Sequence, residues 1–230
     1  MKSGAESPIQ RGMIKTQIDN KSVLGLWLFI MPSKLLPISS EEEKWVNKLT
    51  KKRGWIYHFS RGCIRNVISD MTGSVPLQIP LKADPGKPPL LEEGWGYISI
   101  SHCSDALLIG WSSEKIGVDI ERKDRKLQAH KLSKRFFTKN ENKEIEILPP
   151  RQAKEEVLRR WVVKEAAIKW QSGKISNNLS QWIWENNSSF AYHKKLGHKV
   201  KVYEQSYEEC TYAIALNENS IINKPIICIN

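Results

Sequence analysis

The chain has 230 residues, of which 40% are hydrophobic, and this is enough to bury a sizeable core in one domain or two small ones. The 36 Lys and Arg residues outnumber the 25 Asp and Glu residues, which gives a formal net charge of +11. This charge predicts a negatively charged partner such as a nucleic acid, an anionic membrane, a polyphosphate ligand or an acidic protein. The longest apolar run, residues 23–30, is far shorter than the roughly 20 residues that span a bilayer, and no cleavable leader is recognisable, so we expect a cytoplasmic protein without a membrane partner.

The four cysteines lie far apart in the sequence, and no two of them form a CxxC pair: they are Cys63, Cys103, Cys210 and Cys228. This spacing predicts neither a zinc site nor a disulfide framework. We therefore expect free thiols, most of them buried.

The N-terminal region begins with a polar stretch and continues with a strand and a helix. Residues 1–20 mix Ser, Gly, Gln, Lys and Asn without apolar periodicity, which is typical of a loose tail. Residues 23–30 are apolar and bounded by polar residues, which indicates a buried strand. Ser39 and Ser40 each precede a glutamate by three residues, so either serine can begin a helix through a capping box.

A second helix is predicted over residues 55–69, and it carries two arginines. Arg61 and Arg65 are four residues apart and share a face of this helix, where they could hold one anion together. A solvated basic face is the alternative interpretation of the same spacing.

The central region combines a surface loop with three predicted strands. Residues 73–94 are rich in Gly and Pro, and the prolines rule out a regular helix there. Three β-rich runs follow, separated by short polar turns, and we interpret them as an antiparallel meander: they are residues 95–102, 105–112 and 116–121.

Helical patterns dominate residues 126–171, and the sequence then returns to strands. Thr138 and Glu141 form a second capping box, and the last helical pattern begins after a pair of prolines. Residues 182–230 alternate apolar and polar side chains, which favours strands. Because strands and helices are mixed without strict βαβ order, the sequence predicts an α+β architecture rather than a doubly wound one.

The run IGVDIER contains two carboxylates that share one face of its predicted strand. Alternation directs Asp119 and Glu121 to one face, and it directs Val118 and Ile120 to the other. Taken alone, this pattern is also that of a half-exposed strand with two solvated acids.

The helix RRWVVKEAAIKW places Glu165 and Lys169 at i and i+4, side by side. The simplest interpretation is a surface ion pair worth about 0.3–0.5 kcal/mol. If the helix packs against the acidic strand, however, Glu165 joins Asp119 and Glu121, and three ionised carboxylates repel one another unless a cation neutralises them. Mg²⁺ takes oxygen ligands of this kind and completes its shell with water and substrate phosphate, so the site would suit a protein that binds a diphosphate.

A further set of anion-binding groups precedes the acidic strand. Lys87 lies in a loop stiffened by prolines, and Ser101 and His102 end a strand, where they offer a hydroxyl and an imidazole to an anion. We do not expect a catalytic Ser–His pair, because neighbours on a strand point to opposite faces.

Five motifs occur in order over residues 85–171: PGKP, SISHC, IGVDIER, RFFTKNE and RRWVVKEAAIK. In this order and at these separations they resemble the 4'-phosphopantetheinyl transferases, specifically the long, monomeric surfactin-type group, with a weaker likeness in the arginine helix. The resemblance implies two similar α+β halves in a pseudo-two-fold arrangement, with coenzyme A in the cleft between them. After the tail of residues 1–20, the halves would comprise residues 21–114 and 115–230, and the second half would carry the metal site.

The resemblance also implies an activity, which is Mg²⁺-dependent transfer of the 4'-phosphopantetheine group from coenzyme A to a serine of an acyl or peptidyl carrier protein, as in fatty acid, polyketide or nonribosomal peptide biosynthesis. By this resemblance Asp119, Glu121 and Glu165 would be the Mg²⁺ ligands, and Glu165 and Lys169 the catalytic residues. His102 would contact the 3'-phosphate. The full set of implied coenzyme A contacts is Lys87, Ser101, His102, Lys169, Arg61 and Arg65.

Two alternatives come from other classes of protein. A basic nucleic-acid-binding module without catalysis would explain the net charge, but the sequence has no zinc-finger spacing, aromatic RNP-like strand or KH-type glycine loop, and we do not expect a nucleic acid partner. An adapter that recognises acidic carrier domains without modifying them would also use this charge. Covalent modification of a carrier protein separates the transferase from both alternatives.

Overall fold

Two sheets of five strands each form the frame of the fold in the computed structural model, which describes residues 16–18, 22–31, 33–174, 178–185, 187–220 and 228–229. The strands in chain order are β1 (Thr16–Ile18), β2 (Ser22–Ile30), β3 (Leu81–Lys82), β4 (Leu90–Leu91), β5 (Tyr97–His102), β6 (Ala106–Ser112), β7 (Ile116–Arg122), β8 (Trp182–Trp184), β9 (Phe190–His193), β10 (Lys199–Tyr207), β11 (Cys210–Asn217) and β12 (Cys228–Ile229). The helices are α1 (Ser40–Lys48), α2 (Lys51–Thr72), α3 (Ala129–Phe136), α4 (Lys139–Glu146) and α5 (Pro150–Trp170), with a short 3₁₀ helix at Pro76–Gln78.

The strands of the two sheets come from different parts of the chain. In the first sheet, neighbours pair antiparallel in the order β1-β2-β6-β5, and β12 pairs in parallel with β2. In the second sheet, all pairs are antiparallel and the order is β7-β11-β10-β9-β8. β3 and β4 form a separate two-stranded ribbon in the Gly- and Pro-rich region.

The two sheets pack face to face through a buried apolar layer. Leu26 of β2 and Leu108 of β6 contribute to this layer from the first sheet, and Val118 of β7 and Ile214 of β11 contribute from the second. Burying a side chain of this size stabilises the fold by about 1.5–3 kcal/mol. The layer therefore fixes β7 against the first sheet.

A long helix covers the outer face of each sheet. Phe59 and Ile64 of α2 pack in one cluster with Trp27 of the first sheet. Val162 of α5 packs in another cluster with Trp182 of the second sheet. The order of layers is thus helix, sheet, sheet, helix.

Both predicted capping boxes are present. Ser39 caps α1 together with Glu42, and Thr138 caps α4 together with Glu141. Helix α5 begins with Pro150, at a position where a missing backbone N–H costs nothing. Among the described residues, no helix combines the length and the apolar character needed to cross a membrane.

The predicted meander of three strands is wrong at its third strand. β5 and β6 pair as expected, but β7 leaves the first sheet and pairs with β11 in the second. β7 is buried from Ile116 to Ile120, with its apolar side chains in the layer between the sheets and α5 packed on its opposite face. In the second sheet, one face of β7 is therefore buried by the first sheet and the other by α5.

The ends of the chain lie partly outside the described residues. The predicted loose tail, residues 1–20, lies outside them except for Thr16–Ile18, which form β1 and pair with β2. β12 also joins the first sheet, although it follows the predicted boundary after residue 114. The α+β class is confirmed, whereas the division into halves and their pseudo-two-fold relation stay predictions.

Close contact between α5 and β7 yields a prediction for Gly117. A Cβ atom added there would lie 1.9 Å from the carbonyl oxygen of Ala166 and 2.5 Å from the backbone nitrogen of Trp170. We expect Gly117→Ala to lower the free energy of unfolding by about 3 kcal/mol, because the helix has to move away from the strand. Chemical denaturation of the purified variant measures this loss.

The control for this prediction is Gly197→Ala, at a turn where φ is +65° and an added Cβ would meet no atom within 4 Å. That variant should lose only the cost of a left-handed backbone, about 1–2 kcal/mol. Equal losses in the two variants would contradict the close approach of α5 to β7.

Candidate active site

A cleft of about 1100 Å³ opens between the first sheet and the C-terminal end of α5. One wall consists of residues 87–94 and β5, and the other includes the last turns of α5 and the residues just after it. Its lining contains these predicted site residues: Lys87, Ser101, His102, Glu165 and Lys169.

Asp119 lies behind this cleft and connects its two walls. The predicted alternation along β7 is present, since Val118 and Ile120 enter the layer between the sheets. Asp119 is only 2% exposed, and its Oδ1 atom accepts hydrogen bonds from Ser101 Oγ and Lys169 Nζ, both at 2.6 Å. Its Oδ2 atom is buried and has no hydrogen-bond partner among the described residues. An unsatisfied carboxylate oxygen in the interior is costly, and this one could accept a bond from a cation or a further donor.

Lys169 pairs across the interface rather than along its own helix. Its Nζ atom donates to Asp119 and also to the carbonyl oxygen of Val118 at 3.0 Å. The simple interpretation as a surface pair with Glu165 does not describe this geometry, because among the described residues the ion-pair partner of Lys169 is Asp119. The lysine thereby lies at the floor of the cleft with about a quarter of its side chain exposed.

Glu165 is a carboxyl group in an environment that disfavours its charge. Burial is the main cause that raises its pKa to about 8, and the negative charge of Asp119 adds to the effect. Lys169 opposes both causes, but it is already paired with Asp119. Glu165 can therefore hold a proton near neutral pH and accept one when it is ionised.

Glu121 has a different environment from the other two predicted metal ligands. Burial raises its pKa, Arg125 lowers it through an ion pair, and Asp119 raises it again. Because Glu121 pairs with Arg125, the three predicted carboxylate ligands are not gathered into one tight group. Within the described part of the chain, only Cys103, Asp105 and Cys210 bring three candidate ligand atoms within 4.8 Å of one another.

Two serines link β5 to β7, and one of them, Ser101, is a site residue expected from the sequence. Ser101 donates to Asp119, and Ser99 Oγ accepts a hydrogen bond from the backbone N–H of Val118 at 3.0 Å. These strands belong to different sheets, so the side chains join them where no backbone ladder does. The signal in the sequence is the spacing of the two serines, which places both on the same face of β5.

His102 and Lys87, which were expected to contact coenzyme A, differ in how far they are exposed to solvent. His102 lies exposed at the end of β5, although the atoms around its ring still lower its pKa through desolvation, helped by the charge of Lys169. Lys87 has 72% of its side chain exposed and forms an ion pair with Asp84 at 3.0 Å. Both line the cleft and are accessible to a ligand.

Arg61 and Arg65 do not reach the cleft. Arg65 is buried and pairs with Glu42 at 2.8 Å, and it donates to two backbone carbonyls of the following loop. Arg61 is also buried, lies over the ring of Tyr57, and donates to the carbonyl oxygen of Ala83 at 3.3 Å. The face that these arginines share is therefore internal, and neither a solvated basic face nor an open anion site describes it.

The raised pKa of Glu165 makes stability depend on pH. Its ordinary value is 4.5 and its folded value is about 8, so the stability that it confers is complete below the first value and is lost as the pH rises through the second. Without divalent cations we expect the wild type to lose thermal stability between about pH 4.5 and about pH 8, and Glu165→Gln, which cannot ionise, to lose less. Thermal unfolding in the presence of a chelator measures both.

The matched control is Glu155→Gln, which removes an exposed carboxylate of the same helix that pairs with Arg151. This variant should follow the pH dependence of the wild type. If Glu165→Gln also follows it, the burial of an ionising Glu165 is not the cause.

Two comparisons with known proteins agree with this geometry. A family model described as the 4'-phosphopantetheinyl transferase superfamily matches residues 115–216, which contain Asp119, Glu121, Glu165 and Lys169. The chain is also 30% identical over 175 residues to a protein of Synechocystis sp. named "Putative 4'-phosphopantetheinyl transferase slr0495", and the match covers 70% of this chain and 70% of that relative. The chain therefore belongs to the 4'-phosphopantetheinyl transferase superfamily and is a transferase.

Proposed function

We propose that this transferase moves the 4'-phosphopantetheine group of coenzyme A onto a serine of an acyl or peptidyl carrier protein and that it requires Mg²⁺. The observation that carries the proposal is the Oδ2 atom of Asp119, which has no hydrogen-bond partner in the described part of the chain and lies beside Glu165 at the base of a cleft of about 1100 Å³. Buried carboxyl groups beside a large cleft with basic residues in its lining would suit a cation that also binds the diphosphate of a substrate.

The acidic residues suit a hard divalent cation. Asp119, Glu121 and Glu165 would hold Mg²⁺, and Asp119 can offer Oδ2 while Oδ1 keeps its bonds to Ser101 and Lys169. Bound there, Mg²⁺ would supply positive charge that offsets the charge of the diphosphate. The elevated pKa values of Glu165 and Glu121 support this assignment, because both carboxylates gain from a nearby cation.

Basic groups along the cleft would orient coenzyme A. Lys87 and His102 would bind the nucleotide end of the ligand, with His102 at the 3'-phosphate. Lys169 would contact the diphosphate from the other wall, where its bonds to Asp119 and the Val118 carbonyl hold it in position. We leave Arg61 and Arg65 out of this set because their guanidinium groups are buried.

Glu165 would accept the proton of the carrier serine. The serine oxygen forms a bond to the β-phosphorus of coenzyme A, the bond from that phosphorus to the bridging oxygen breaks, and adenosine 3',5'-bisphosphate leaves. The hydroxyl proton passes to the Glu165 carboxylate, which a bound cation would keep ionised and able to accept it. Lys169 would offset charge on the departing phosphate.

One chain supplies both walls of the cleft, which supports a monomeric enzyme of the long surfactin-type group. The net charge of +11 supports an acidic carrier protein as the acceptor and a charged substrate in the cleft. No observation on the described residues favours the nucleic-acid-binding alternative.

Mass spectrometry of a carrier protein tests the activity directly. With coenzyme A and Mg²⁺, the carrier should gain about 340 Da, the mass of a phosphopantetheine group. No gain with a chelator, and restoration by added Mg²⁺, are expected. A carrier that binds the protein but is never modified would instead support the adapter, and salt-dependent binding of nucleic acid without transfer would support the basic module.

Asp119→Asn tests the metal assignment. The amide keeps one oxygen but removes the charge that binds both Lys169 and a cation, so we expect the transfer rate at saturating coenzyme A to fall by at least about a hundredfold. Asp70→Asn, an exposed acid on α2, is the control and should keep the wild-type rate. An Asp119→Asn enzyme with an unchanged rate and an unchanged requirement for Mg²⁺ would refute the assignment.

His102→Ala tests how the nucleotide end is recognised. A charge-assisted hydrogen bond is worth about 1.5–3 kcal/mol, so its loss should lower kcat/KM for coenzyme A by about ten- to a hundredfold. Dephospho-coenzyme A lacks the 3'-phosphate, and the variant should discriminate less between the two substrates than the wild type does. If kcat/KM falls by the same factor for both substrates, His102 does not contact the 3'-phosphate.

A further inference from the structure

Two cysteines from different sheets meet beside the cleft. Cys103 follows His102 in the turn between β5 and β6, whereas Cys210 begins β11 in the second sheet. Their sulfur atoms and a carboxylate oxygen of Asp105 all lie within 4.8 Å of one another. The cysteine spacing in the sequence predicts no such contact, because about 100 residues separate the two cysteines and the packing of the sheets brings them together.

The environments of the two thiols are unequal. Cys103 is half-buried and Cys210 is 8% exposed. The contact with Cys210 lowers the pKa of Cys103, and backbone N–H groups of the turn add to this effect while burial opposes it. The same contact, together with burial, raises the pKa of Cys210. A partly exposed thiol of lowered pKa beside a buried thiol is the arrangement of a nucleophilic cysteine and a resolving cysteine.

A metal ion is a poorer occupant of this cluster. Asp105 already forms an ion pair with Arg122, and its Oδ1 atom accepts hydrogen bonds from Ser104 Oγ at 3.2 Å and Cys103 Sγ at 3.5 Å. Arg122 also pairs with Asp124. A cation would therefore compete with the guanidinium group of Arg122 for the one carboxylate of the cluster, which leaves two sulfur ligands.

We propose that Cys103 and Cys210 form a reversible disulfide that cross-links the two sheets at one end of the cleft and weakens the binding of coenzyme A. The oxidant would be a small-molecule disulfide. The Cys103 thiolate attacks one of its sulfurs and releases a thiolate, and the Cys210 sulfur then displaces the second thiolate as it releases its proton. Two cysteine thiols are thus oxidised to one disulfide, and one small-molecule disulfide is reduced to two thiols.

Bond formation would move Cys103 more than Cys210. The sulfurs have to approach to about 2.05 Å from their present separation within 4.8 Å. Cys210 is paired with Arg122 of β7 and with Tyr207 of β10, whereas Cys103 lies in a turn. His102 precedes Cys103 directly and would move with it. The effect on coenzyme A rests on the proposed function, but the cross-link itself does not.

The test uses the full chain treated with oxidised glutathione. The wild type should lose about 2 Da with no glutathione retained, and peptide mapping should join Cys103 to Cys210. Cys210→Ser should retain glutathione on Cys103, and Cys103→Ser should form no cross-link. Cys63→Ser is the control and should behave as the wild type, since burial raises the pKa of Cys63 to about 12 and keeps it unreactive.

Two further measurements complete the test. The oxidised wild type should unfold at a higher temperature, because the cross-link closes a loop of about 100 residues in the unfolded chain. Direct titration should show that it binds coenzyme A about tenfold more weakly, and dithiothreitol should reverse both changes. Glutathione that stays on wild-type Cys103, or zinc that is bound by the wild type and lost in Cys103→Ser, would overturn the disulfide. A cross-linked protein with unchanged affinity for coenzyme A would overturn its effect on the cleft.

Discussion

The buried carboxylate of Asp119 holds together three elements that share no backbone ladder. Ser101 reaches it from β5 in the first sheet and Lys169 reaches it from α5, while Asp119 itself lies on β7 in the second sheet. Breaking a buried charge pair by removing one partner costs about 3–5 kcal/mol, because the other charge is left unpaired. The positions of both cleft walls depend on this contact, so the group that carries the candidate chemistry is also a group on which the structure depends.

The charges around Asp119 do not balance within the protein. Among the described residues, the three carboxylates of Asp119, Glu121 and Glu165 have two nearby cations, Lys169 and Arg125. A proton bound to Glu165 can neutralise the remaining negative charge, which is consistent with the raised pKa of Glu165, about 8. A divalent cation would remove it differently and would leave Glu165 ionised. The same imbalance leaves Glu165 largely protonated at neutral pH without a cation, and with a cation in place it would leave Glu165 able to act as the proposed base.

Local patterns predicted the parts of the site that lie on one element. The alternation that separates Asp119 from Val118 follows from strand geometry alone, and the capping box at Ser39 follows from side chains three residues apart. The place of β7 in the second sheet was not predictable, because this strand follows β6 after a short turn, as the second strand of a hairpin would. The pairing of Glu121 with Arg125 is local, because the two residues are four apart across the turn after β7. The meeting of Cys103 with the distant Cys210 depends on the packing of the two sheets, and no spacing in the sequence predicts it.

Arg61 of α2 is buried and has a structural contact in place of the open anion site that its spacing from Arg65 suggested. Arg61 and Tyr57, one turn apart on α2, both donate hydrogen bonds to the carbonyl oxygen of Ala83. Ala83 is followed by Asp84, which pairs with Lys87 in the wall of the cleft. Arginine is suited to this task because its planar group can lie over the tyrosine ring and donate to a carbonyl at the same time. Arg61 thus anchors the base of the loop that carries Lys87, and it influences the cleft through that loop rather than through an anion of its own.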